Sequence, residues 1–239
     1  MPSNPHRVTT INEVGLLSLL QISDSFFPTG AFTQSYGLET YVQEERVHSR
    51  ETLVEFLTVY LLEALATSDC LALALAYRAA ERVDLEEIQQ LDQILTAQKV
   101  VRESRQASLK TGSRMLRVIN QLYSIPLMLE FSRLIRDGKA HGNHAMVFGL
   151  AGQGLGIGLK EVALAYVYNA TSGIVNSAVR LVPLGQNDGQ WVLMSLQKTM
   201  QETVDVSLEL TLEDLGASTP ALEIRAMQHE RLYSRLFMS

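Results

Sequence analysis

Apolar residues in this chain recur at intervals of three and four, and strand-like alternation is almost absent, so the pattern predicts helices from end to end. Leu16, Leu17, Leu19, Leu20 and Ile22 predict a short helix ending near Asp24. The pattern restarts at Ser49, an N-cap residue with Thr52 three positions on, and Leu53, Phe56, Leu57, Tyr60, Leu61 and Ala64 then share one face. Asp69 caps or interrupts this helix, which resumes through Leu71, Leu75 and Tyr77. Asp84 reads as the next N-cap, with Glu86 and Glu87 in a first turn where carboxylates favour the helix dipole. From Val100 to Leu122 one side is polar and the other apolar, which predicts a helix on the surface of a bundle. Pro126 opens a helix carrying Leu127, Leu129, Phe131, Leu134 and Ile135, and Asp137-Gly138 closes it.

The stretch from His144 to Leu184 is nearly uncharged apart from Lys160, Glu161 and Arg180, and Gly149, Gly152, Gly154, Gly156 and Gly158 crowd its first half. A helix apolar all round belongs at the centre of a fold, and its glycines either admit a neighbouring helix or end the helix near Gly158. The same small residues make this stretch a candidate for the core of a dimer. Asp188 and Gly189 open one further helix through Trp191, Leu193, Leu196 and Val204. An acidic polar stretch then runs to Pro220, and a final amphipathic helix covers residues 221–237. With no internal repeat and no low-complexity linker, residues 1–239 are expected to form a single all-α domain, a helical bundle of about ten helices.

Composition narrows the function. The chain has 239 residues, 46% of them hydrophobic, enough to bury a sizeable core, and a net charge of -6 that argues against a nucleic-acid binder. The single Cys70 rules out an intramolecular disulfide and a cysteine metal cluster. The first residues lack the charged and apolar regions of a signal peptide, and no stretch of about 20 residues is apolar throughout, so no membrane span and a cytoplasmic location are expected.

Motifs for catalysis fail on particulars. In GQGLGIGLK, Lys160 precedes Glu161 where a phosphate loop needs Ser or Thr, and no strand precedes the glycines. Ser195 to Lys198 matches SxxK and Lys110 to Gly112 matches KTG, but in reversed order. His141 and His144 stand three apart and could face one metal on a helix, yet the glycines around them suggest a helix entrance, and no carboxylate or cysteine lies near to complete a site. They are the candidates for a transient nickel contact, since imidazole suits that metal. No catalytic residues are nominated, and no cofactor is expected to be stably bound.

Two segments stand apart. SFFPTGAFTQSYGLE, residues 25–39, sets Phe26 and Phe27 against a Pro28-Thr29-Gly30 turn, whose chemistry would present Phe26, Phe27, Phe32 and Tyr36 rather than fold them away. PALEIRAMQHERLYSRLF, residues 220–237, is a terminal amphipathic helix rich in Arg and Tyr, residues favoured at interface hot spots. Both stretches resemble signatures of the urease accessory protein F family. SRQASLKTGSRML is similar to that family's central surface helix, and SAVRLVPLGQNDGQ to its Arg-Leu-Pro-Leu-Gly-Gln segment. The blocks stand in the family's order across almost the whole chain, although Ala31 and Gln34 replace a frequent Ser and His.

The resemblance implies a non-catalytic, all-helical homodimeric chaperone of urease maturation. It would bind accessory protein D or H and recruit the GTPase accessory protein G, so that nickel passes through the complex into apo-urease. The partner-binding candidates are Phe27, Pro28, Gly30, Tyr36 and Glu39 in the first signature. In the second they are Glu223, Met227, His229, Glu230, Tyr233, Arg235, Leu236 and Phe237, on a C-terminal partner-binding helix near 220–237. Arg180 and Arg235 are candidates for reaching a partner's nucleotide. The residues alone leave two other classes open: a generic helical interaction module, and a metal-dependent enzyme with a site assembled around His141, His144 and Glu161.

Overall fold

The computed structural model describes residues 13–29 and 37–216, with the isolated positions 224 and 227. Among these residues every regular element is helical. In chain order they are α1 (Glu13–Ser23), α2 (Leu38–Gln43), α3 (Arg50–Val59), a π-helical turn (Tyr60–Leu65), α4 (Asp69–Glu81), α5 (Leu85–Gln98) and α6 (Arg102–Leu122). There follow α7 (Pro126–Arg136), α8 (His144–Gly154), α9 (Leu159–Leu181), α10 (Gln186–Ser195), α11 (Gln197–Glu209) and a 3-10 turn (Leu212–Asp214).

Local chemistry sets many of these boundaries. Ser49 Oγ accepts the Thr52 amide while Thr52 Oγ1 accepts the Ser49 amide, a reciprocal capping box that opens α3. Asp84 Oδ1 accepts the Glu87 amide at 2.9 Å and opens α5. Pro126 sits at the first turn of α7, where its missing N–H costs nothing. The join between α3 and α4 is the interruption expected near Asp69. It comprises the π-helical turn followed by Thr67 and Ser68, whose hydroxyls donate back to the carbonyls of Glu63 and Ala64.

The centre of the molecule is α4 packed on α8, with α6 and α9 beside them. Residues Ala145 to Gly152 of α8 are all buried, as its unbroken apolar pattern predicts. A Cβ on Gly149 would lie 2.6 Å from the Leu73 carbonyl oxygen, so glycine is what lets α8 meet the backbone of α4. Gly112 does the same for α6, where a Cβ would lie 2.1 Å from the Gly142 carbonyl oxygen. The glycines of α8 thus meet neighbours inside the subunit: Gly149 meets Leu73, Gly152 meets Val162 and Gly154 meets Ile125.

The run from Arg50 to Glu81 is long and apolar enough, by length and composition, to cross a membrane, but half of its most apolar window is buried inside the fold. Its second half is α4, at the heart of the core. The single helix expected after Asp188 is two. Leu196 (φ -91°, ψ 0°) ends one helix and caps the next, with its side chain fully buried and Ser195 Oγ donating back to the Trp191 carbonyl. Such back-bonding competes with the helix at this point, and the buried Leu196 joins the two helices.

Candidate partner-binding surface

The turn after α1 is built by Asp24. Its Oδ1 accepts the Phe26 amide at 2.6 Å, and its carbonyl accepts the Phe27 amide at 3.0 Å. The two phenylalanines are thereby sent opposite ways. Phe26 is 93% exposed, whereas Phe27 is 5% exposed and belongs to the core. The expectation that both are presented therefore holds for Phe26 alone: Phe27 anchors the turn from below. Pro28 is exposed beside Phe26. Thr29 closes the described part of the turn, its carbonyl accepting from Arg114 Nη1 of α6 at 3.3 Å. Glu39 is 3% exposed in the first turn of α2, where the helix dipole favours its carboxylate, and so offers no surface to a partner.

Helix α1 continues the apolar surface. Val14, Leu16, Leu17 and Leu20 point outward and are exposed, while Gly15, Leu19 and Ile22 face the core. A short helix apolar on both sides leaves its outer side uncovered, the condition that marks an interaction surface. Asn169 Nδ2 of α9 donates to the Ser23 carbonyl at 3.0 Å and Tyr123 donates to Gln21 Oε1 at 2.7 Å, which hold α1 in place. Between α1 and α9 lies a cavity of about 630 Å³, with Leu20, Leu164, Tyr166, Tyr168 and Gly173 in its wall. Tyr168 at its rim is half exposed.

The two histidines are not brought to one point. His141 is exposed in the loop ahead of α8, whereas His144 is the first residue of α8 and is partly buried against Phe148 and Tyr166, ring centroids 5.9 and 5.3 Å away. Desolvation among these rings pushes its pKa down to about 4, so the imidazole is neutral at pH 7. Among the described residues no three His, Cys, Asp or Glu side chains gather as a metal site. The HGNH loop is instead organised by Asp92 of α5, fully buried, whose carboxylate accepts the amides of His141, Gly142 and Asn143 and the side-chain amide of Asn143. Asp92 stands on the apolar face of α5 with Ile88, Leu91 and Leu95, and an acid on such a face is the signal that could have singled it out.

Cys70 is fully buried, and burial pushes its thiol up to about 12, so it is an inert packing residue. Arg180, in the last turn of α9, is exposed. Gly30, Phe32, Tyr36, Glu223, His229, Glu230, Tyr233, Arg235, Leu236 and Phe237 lie outside the described residues. Within the C-terminal signature, Ile224 and Met227 are described as helical and exposed, one turn apart.

Comparison with known proteins gives a consistent result. A sequence model of the UreF family matches residues 47–197. The urease accessory protein UreF of Bacillus sp. (strain TB-90) is 40% identical over 224 residues, covering 94% of this chain and 99% of the relative. That of Actinobacillus pleuropneumoniae serotype 5b (strain L20) is 40% identical over 222 residues, 93% of this chain and 98% of the relative. The protein of the same name from Haemophilus influenzae (strain ATCC 51907 / DSM 11121 / KW20 / Rd) is 38% identical over 222 residues, 93% and 94%.

Proposed function

The chain belongs to the UreF family of urease accessory proteins, and from that membership we propose that it is a cytoplasmic scaffold with two separate docking surfaces, used while nickel is inserted into apo-urease. It is an accessory protein of urease maturation and not an enzyme. The observation that carries the scaffold proposal is the uncovered apolar surface formed by α1, the Phe26 turn and the rim of the α1–α9 cavity.

One part of this surface is assigned to a second copy of the chain. Leu17 and Leu20 of α1 project beside a cavity that Tyr168 borders, so a two-fold axis near the rim would let each copy offer both projection and recess. The other part, Phe26 and Pro28 at the turn, is assigned together with the C-terminal segment 220–237 to accessory protein D or H. The resulting complex recruits the GTPase accessory protein G and meets apo-urease. Nickel is cargo of the assembly and not a resident cofactor of this chain.

The two surfaces separate experimentally. Phe26→Ser is expected to weaken association with accessory protein D or H at least tenfold while leaving the oligomeric state unchanged. Leu17→Ser combined with Leu20→Ser is expected to yield a monomer of unchanged helicity. If neither variant alters either property, the surface is not a docking surface.

A further inference from the structure

The 38 residues from Arg102 to Lys139 hold eight Lys and Arg against three Asp and Glu, a charge of +5, so the rest of this -6 chain carries -11. They form α6, α7 and their connections. On α6, Lys110, Arg114 and Arg117 fall at i, i+4 and i+7, one stripe of the helix, and all three are exposed. The adjoining stripe, Ala107, Thr111, Met115 and Ile119, is buried. Among the described residues no carboxylate pairs with any of the three: Arg114 bonds to the Thr29 carbonyl, and the nearby Asp24 carboxylate accepts the Phe26 amide. The stripe therefore runs directly up to the turn that presents Phe26 and Pro28.

We propose that the α6 stripe of Lys110, Arg114 and Arg117 and the Phe26–Pro28 turn form one composite site for an acidic protein segment that carries an apolar or aromatic anchor. Charge complementarity selects the occupant's sign, since a +5 element in an otherwise acidic molecule steers anionic partners to this face. The exposed phenylalanine selects a protein over nucleic acid or lipid headgroups: an aromatic knob flanked by arginines is the composition of a protein hot spot with a charged rim. As applied to accessory protein D or H, the site rests on the scaffold function proposed above; the acidic-segment site itself does not.

The test compares the full-length wild type with Lys110→Glu/Arg117→Glu, and with Lys110→Gln/Arg117→Gln as a milder pair, after circular dichroism has matched their helicity. Fluorescence anisotropy is read with a labelled peptide of alternating Glu and Phe, with phosphatidylserine vesicles and with duplex DNA, at rising salt. Saturable peptide binding that weakens at least tenfold in the Glu pair, and less in the Gln pair, supports the site. Peptide binding that is absent or equal in all three proteins overturns it, as does tighter binding to vesicles or DNA than to peptide. A titration with accessory protein D or H then separates the two levels. Wild type that binds the peptide but not that protein keeps the stripe and removes the D or H assignment, as does D or H binding whose salt dependence neither pair changes.

Discussion

Single atoms decide several features at the residue scale. Replacing Gly149 by Ala puts a methyl 2.6 Å from the Leu73 carbonyl oxygen, so α8 must move off α4, and a loss of about 1–3 kcal/mol is expected in urea denaturation. His144 links pH to stability. Its folded pKa, about 4, lies below the unfolded value near 6.5, so between these values the unfolded chain binds more protons and stability falls as pH falls. His144→Phe should flatten the stability profile between pH 6.5 and 4, and an unchanged slope would mean that another group titrates there. Spacing could single out Asp92 on the apolar face of α5 but could not reveal its partners. Its partners lie 49 to 51 positions away, and only the fold brings a buried carboxylate to those three amides. Conversely, the glycines around His141 and His144 read correctly as a helix entrance, since the chain turns helical only at His144 and the two share no helical face.

Among the elements, those fixed by neighbours in sequence were legible and those fixed by distant packing were not. Ser49, Asp84 and Pro126 mark their helices correctly because a cap or an N1 proline acts within one turn. Ser49→Ala removes half of the capping box and is expected to cost about 1 kcal/mol in chemical denaturation, with no change in oligomeric state. The division of α10 from α11 at Leu196 was invisible because the periodic pattern continues across it, with Leu196 itself buried like its periodic neighbours. The glycines of α8 were legible as sites of close approach but not as to which neighbour approaches. An uncharged helix reads alike whether it meets its own subunit or another. For the opening turn, sequence gave the aromatic pair and the proline, while Asp24 decides which phenylalanine is shown.

For the whole molecule, an acidic chain carries a net positive stretch on α6 and α7, and α1 with the adjacent turn exposes five large apolar side chains. The charged stripe meets the turn at Arg114 and Thr29, while the outer side of α1 faces the α1–α9 cavity, so a scaffold has one face for each partner. The central claim is that these faces build an assembly, and it is tested most directly by multi-angle light scattering on the purified protein alone, with accessory protein D or H, and then with the GTPase accessory protein G. The account predicts twice the chain mass alone, a larger complex with the first partner and a further increase with the second. A chain that stays at monomer mass, unchanged by either folded partner, would contradict it.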